Sequence, residues 1–198
     1  RAGLMTGVYQ QRMGCGENPN TSGFPDSPKF PYAGVPNSQP MLSEMLQASG
    51  YRCGMVGKWH LGLHETMRPN ARGFDYYSGF LNGAHDYEKA FPRFGKNKGL
   101  WPLFRNNEMQ SDYEGYLTDT FSDEAVAFIE RNKSQPFFLY VAYNAVHHPW
   151  QVPKKYLERT KDISDIEDRR FFAGMVLAMD DGVGRIMAAL DEAGVSDN

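Results

Sequence analysis

Gly50-Tyr51-Arg52-Cys53-Gly54-Met55-Val56-Gly57-Lys58-Trp59-His60-Leu61-Gly62 decides how this chain is read. Its first half, from about Tyr51 to Val56, predicts a short strand. Its second half sets a lysine and an imidazole among glycines, so the strand discharges into a tight loop able to handle an anion. Upstream, Pro40 suits a first helical turn. Met41, Leu42, Met45 and Leu46 supply one apolar face, and Gly50 supplies a stop. Residues 16 to 39, rich in Gly, Pro, Asn and Ser, read as one long surface loop.

Downstream, residues 63 to 116 are aromatic and turn-rich with little periodicity, the character of lids and substrate pockets. A second helix is signalled by Phe121, Ala125, Phe128 and Ile129, with Thr118 and Asp119 as candidate caps. Pro136 to Tyr143 is a continuous apolar and aromatic run, the pattern of a central strand buried on both faces. A final helix over about 167 to 192 carries Phe172, Met175, Val176, Met179, Val183, Ile186, Met187 and Leu190 on one side and ends near Gly194. Helix, strand, loop, helix, strand, loop, helix is an α/β order without internal repeats. In open α/β sheets ligands collect at the carboxyl ends of strands, so the loops holding Lys58, His60 and His147 converge on one edge.

The composition sets bounds on function. The 198 residues and mixed charge are those of one globular domain with a substantial core. A formal charge of -3 without a basic block gives no footprint for nucleic acid, and no apolar run is long enough to span a membrane. The expected partner is a small molecule or a glycan. Cys15 and Cys53 lack metal or redox spacing and read as incidental thiols. Aromatics make up 14% of the chain, and those in loops serve either packing or as platforms for sugar rings.

At the predicted edge, Lys58 offers three donors and a compact charge to a tetrahedral oxyanion, against the plain alternative of a solvated lysine. His60 and His147 suit general acid or base work, against structural histidines. His60 and His64 stand four apart, but Gly62 lies between them and no third ligand is evident, which disfavours a zinc site. Only one of His147 and His148 is expected to face the site.

Gly57-Lys58-Trp59-His60-Leu61-Gly62 resembles the second signature of the type I sulfatases, arylsulfatases and carbohydrate sulfatases of the alkaline-phosphatase-like superfamily. Arg1-Ala2-Gly3-Leu4-Met5-Thr6-Gly7 is similar to the tail of that family's first signature. Arg72-Gly73-Phe74-Asp75, Gly79-Phe80, Gly83-Ala84-His85-Asp86-Tyr87 and Tyr143-Asn144-Ala145-Val146-His147-His148-Pro149 resemble further family segments. The resemblance implies a largely parallel central sheet flanked by helices. It further implies that residues 1–198 are an internal fragment of the catalytic domain, lacking its N-terminal and C-terminal parts.

It also implies sulfuric ester hydrolysis through a formylglycine nucleophile and Ca2+, both outside this segment. A maturation enzyme would make the formylglycine. Arg1 would hold the formylglycine hydroxyls, Lys58 would bind a sulfate oxygen, His60 would assist sulfate elimination and His147 would serve the leaving alcohol. His85 is a further substrate-pocket candidate, and Ala84 replaces a serine that contacts sulfate in some members. Asp180 and Asp181 read as structural and Asp197-Asn198 as a turn rather than metal ligands. The implied substrate is a sulfated sugar or another small sulfate ester, and the implied compartment periplasmic, extracellular or lysosomal. The alternatives are a phosphodiesterase or phosphonate hydrolase of the same superfamily, or an inert glycan-binding fragment.

Overall fold

The computed structural model describes residues 1–16, 34–88, 102–110 and 113–197. Most of the loop expected over 16 to 39 therefore lies outside the described residues, as does Asn198 of the expected turn. The elements in chain order are α1 (Ala2–Thr6), α2 (Leu42–Ala48), β1 (Arg52–Lys58), β2 (Tyr76–Phe80), β3 (Leu103–Arg105) and β4 (Glu108–Gln110). Then come α3 (Leu117–Asn132), β5 (Phe137–Ala142), α4 (Lys154–Arg159) and α5 (Glu167–Glu192). They form a five-stranded sheet in the order β4-β3-β2-β1-β5. β1 pairs in parallel with both β2 and β5, while β3 and β4 add an antiparallel flap.

Alternation along β1 divides the core. Cys53 and Met55 face a cluster with Met41, Trp59, Phe74 and Tyr77. Val56 faces the opposite side with Phe80, Phe121, Met175 and Ala178. α2 covers the first face and α3 with α5 the second, a three-layer arrangement in which each fully buried aromatic or aliphatic side chain contributes about 1.5–3 kcal/mol. β1 runs two residues past its predicted end, to Lys58, because Gly57 can take φ 109°. A Cβ at Gly57 would collide with the Ala142 carbonyl oxygen, so glycine lets β5 lie close at the site end.

Several sequence expectations are corrected. The run over 136 to 143 forms β5, parallel to β1. Among the described residues β5 is an edge strand with only β1 beside it, and Phe137–Val141 are half-buried. α2 starts at Leu42 rather than Pro40, where the Glu44 carboxylate accepts the Met41 N–H at 2.7 Å, and Met45 faces solvent. α3 starts at Leu117 with Tyr116 as its cap, two residues before a Thr118 cap would start it, and Leu117 and Thr118 are buried.

The buried face of α5 also differs from the predicted stripe. Gly174, Met175, Ala178, Gly182 and Ala189 are buried, while Phe172, Val176, Val183 and Met187 are exposed. Small residues win the inward positions because α3, Tyr143 and Val152 approach closely there. Gly182 sits against Ser122, whose hydroxyl lies 2.6 Å from the Tyr143 hydroxyl. Asp181 pairs with Arg159 on α4 and Asp180 lies inside α5, while Asp197 lies in a turn. Residues 89–101 and 111–112 of the segment over 63 to 116 lie outside the described residues, and the rest holds more order than its sequence suggests, including β2, β3, β4 and three-ten turns at Glu65–Met67 and Pro69–Arg72.

Arg72, 1% exposed, ties this segment to the site. It pairs with Glu44 at 3.0 Å and donates to the Val35 and Gln39 carbonyls at 3.1 and 2.7 Å. The strand-like contact of Gly34 with Gly62, backed by Val35 N–H to Leu61 O at 2.9 Å, then pins the loop after β1.

Candidate functional site

The loop after β1 is held by main-chain bonds, Trp59 N–H to Phe80 O at 3.0 Å and His60 N–H to Leu81 O at 3.1 Å. The Trp59 indole donates to Met67 O at 2.9 Å and is fully buried, so the residue between Lys58 and His60 anchors both. His60 holds φ 56°, a left-handed conformation that costs a non-glycine residue of order 1 kcal/mol or more. A Cβ at Gly83 would stand 3.0 Å from the His60 ring, so glycine there leaves room for the imidazole.

Arg1 joins two loop systems. Its guanidinium donates to the Lys58 carbonyl at 2.7 Å and reaches the Tyr143 carbonyl at 3.5 Å, spanning the carboxyl ends of β1 and β5. A cleft of about 550 Å3 opens here, lined by Arg1, Leu4, Gln10, Cys15, Lys58 and His60 among others. Among the described residues neither Arg1 nor Lys58 forms an ion pair. Two cations without a countercharge therefore face a cleft together with an imidazole.

The electrostatics follow from this crowding. Partial burial, reinforced by the Arg1 charge, lowers the Lys58 pKa from 10.5 to about 8. Burial and then the charges of Lys58, Arg1 and His147 lower His60 to about 4. His60 is thus neutral at pH 7, able to accept a proton, while Lys58 remains mostly cationic. The arrangement can bind a tetrahedral anion and move a proton beside it.

His147 lies on the exposed loop after β5. Its Nδ1 is 2.7 Å from the His148 carbonyl oxygen, which can only accept, so Nδ1 carries the proton and Nε2 is the acceptor in the neutral ring. The buried Tyr87 fixes this loop, its hydroxyl donating to His147 O at 3.0 Å and its N–H to Gln151 Oε1 at 2.8 Å. His147 and His148 are both exposed.

His85, the further substrate-pocket candidate, is buried beside β2. It is 2% exposed, packs on Phe80 with ring centroids 5.0 Å apart, and donates from Nδ1 to Asp86 O at 2.7 Å. It is not among the residues lining the cleft. His64 caps the three-ten turn at Glu65–Met67 by accepting from the Thr66 N–H. Gln10 and Cys15 line the cleft without having been singled out for it, and no spacing signal could have found them. Among the described residues no group of three or more His, Cys, Asp or Glu side chains could hold a metal ion.

The sequence profile named Sulfatase matches residues 1–198. The chain belongs to the sulfatase family. Similar members include arylsulfatase J of Mus musculus, 31% identical over 202 residues, and N-acetylgalactosamine-6-sulfatase of Homo sapiens, 32% identical over 213 residues. Both alignments cover the whole of this chain but only 32% and 38% of those proteins, so the chain spans about a third of their length. The crystal structure of Ps i-CgsB in complex with k-i-k-neocarrahexaose superposes with a TM-score of 0.87 at 37% identity. That alignment covers 100% of this chain and 45% of that one. This places the sulfatase-family chain in the α/β, alkaline-phosphatase-like fold expected from its motifs, with its sheet parallel at the site and antiparallel only at the β3 and β4 margin.

Proposed function

We propose that this chain is the anion-binding part of a sulfuric ester hydrolase whose substrate is a sulfated carbohydrate. The observation that carries this reading is the cleft in which Arg1 and Lys58, without a countercharge, stand beside a neutral His60 at the carboxyl end of β1. Lys58 binds a sulfate oxygen and neutralises charge that grows as the ester bond breaks. Arg1, fixed by two carbonyls, positions the nucleophile's oxygens. His60 accepts a proton during sulfate release, and His147 serves the leaving alcohol from its exposed loop.

Support for a carbohydrate comes from relatives, one named for N-acetylgalactosamine and one solved with a hexaose. Family membership supports a formylglycine nucleophile, made by a maturation enzyme, and a metal such as Ca2+, neither supplied by the described residues. The family resemblance of the motifs implies sulfated-sugar turnover in a periplasmic, extracellular or lysosomal compartment. No helix among the described residues is long and apolar enough to cross a membrane.

Peptide mass spectrometry of the natural full-length protein tests the reading. The expected result is formylglycine four residues before Arg1. An unmodified cysteine or serine after expression with a competent maturation system, or no such residue, would overturn the sulfatase mechanism and favour a phosphoryl-transfer relative or an inert binding protein.

A further inference from the structure

Beyond the anion pocket, the loop carrying His147 presents a second chemical feature. Trp150 is 41% exposed three residues past His147, a large apolar surface left facing water. The loop around it is fixed: Pro149 is buried on one side, Gln151 accepts the Tyr87 N–H at 2.8 Å on the other, and Val152 enters the core. The His148 ring meets the indole edge-on, with centroids 6.4 Å apart and an interplanar angle of 62°. A half-exposed indole on an anchored loop is held ready, without the ordering cost that a mobile loop would incur on binding.

We propose that Trp150 is a stacking platform for a pyranose ring of an oligosaccharide whose sulfate occupies the Arg1 and Lys58 cleft. The apolar C–H face of a sugar ring matches the indole face, while its hydroxyls stay in water. Such a platform adds binding to oligosaccharides and none to a bare anion. It separates substrates by the sugar beyond the sulfated position, not by the sulfate. The proposal rests on the carbohydrate reading above.

The test uses the natural full-length protein and its W150A and W150F variants. Calorimetry measures binding of inorganic sulfate. Stopped-flow tryptophan fluorescence, which reads association before turnover, measures binding of κ-carrageenan and chondroitin 6-sulfate hexasaccharides. We expect the wild type to bind at least one hexasaccharide more tightly than sulfate, with an emission change that disappears in W150F. We expect W150A to lose about tenfold in affinity for that hexasaccharide, the upper range of one aromatic contact, with sulfate affinity within about twofold. Retained sulfate binding doubles as the control for folding.

Unchanged hexasaccharide affinity in W150A, with the emission change retained in W150F, would overturn the platform and leave the carbohydrate reading standing. A wild type that binds sulfate but neither hexasaccharide more tightly would overturn both.

Discussion

The lowered pKa of Lys58 makes a pH experiment decisive for the cleft. With a value of about 8, Lys58 is about nine-tenths charged at pH 7 and about one-tenth charged at pH 9. If the ammonium binds sulfate, affinity is proportional to the charged fraction and falls about tenfold between those values. A surface lysine with an ordinary value of 10.5 would stay charged throughout and give no change. Sulfate does not titrate in this range, and His60 is already neutral. Calorimetric titration with inorganic sulfate between about pH 6 and 10 reads the effect, and K58R, charged across the range, removes the midpoint near 8. A flat wild-type profile to about pH 10 would refute both the desolvation of Lys58 and its role in anion binding.

Other outcomes follow from the same geometry. The folded pKa of His60, about 4, lies below its ordinary 6.5, so the unfolded chain takes up the proton first. The contribution of neutral His60 is full above pH 6.5 and lost as pH falls through about 4, and thermal midpoints of H60Q should fall less over that window than those of the wild type. Replacing buried Arg72 by Ala leaves the Val35 and Gln39 carbonyls without its donors, while the partly exposed Glu44 keeps the Met41 N–H, for an expected loss of about 1–3 kcal/mol in urea unfolding. Phe128 lies directly over Gly54, and Tyr76 and Phe137 hem in its ring at 5.9 and 6.0 Å, so G54A should cost about 1–3 kcal/mol in the wild type and markedly less in an F128L background. Strict additivity of the two substitutions would sink that packing argument. Y87F removes the bond to His147 O and should cost about 0.5–1.5 kcal/mol while raising amide exchange in the His147 loop.

The gathering of Lys58 and His60 in one cleft was legible because a short-range pattern encodes it. Lys58 and His60 follow a strand signal directly, and the ligand edge of an α/β sheet brings in the loop after β5 without any contact being known. Arg1 entered through its motif, and its two carbonyl partners, 57 and 142 residues away, could not be read from spacing. His85 illustrates the opposite case. This polar residue in a motif-like segment lies in the interior against Phe80, with its Nδ1 bonded to Asp86 O.

The errors in the fold have a common source. Apolar periodicity reports which residues favour burial, not which neighbours are there to bury them. α5 carries apolar residues around much of its circumference, and the side that packs is chosen by small residues such as Gly182 opposite Ser122. The Pro136 to Tyr143 run has the composition of a central strand, and among the described residues it pairs with β1 on one side and is half-buried. The turn-rich middle hid β2, whose Tyr76 to Phe80 run is short and interrupted by glycine.

The most direct measurement is sulfate release from sulfated oligosaccharides by the natural full-length protein, compared with its K58A variant at equal folded concentration. Release by the wild type, with a loss of about 100-fold or more in K58A, is the predicted result for an oxyanion-binding cation in the reacting site. No release from any sulfate ester by the matured wild type, or undiminished release by K58A, would contradict it.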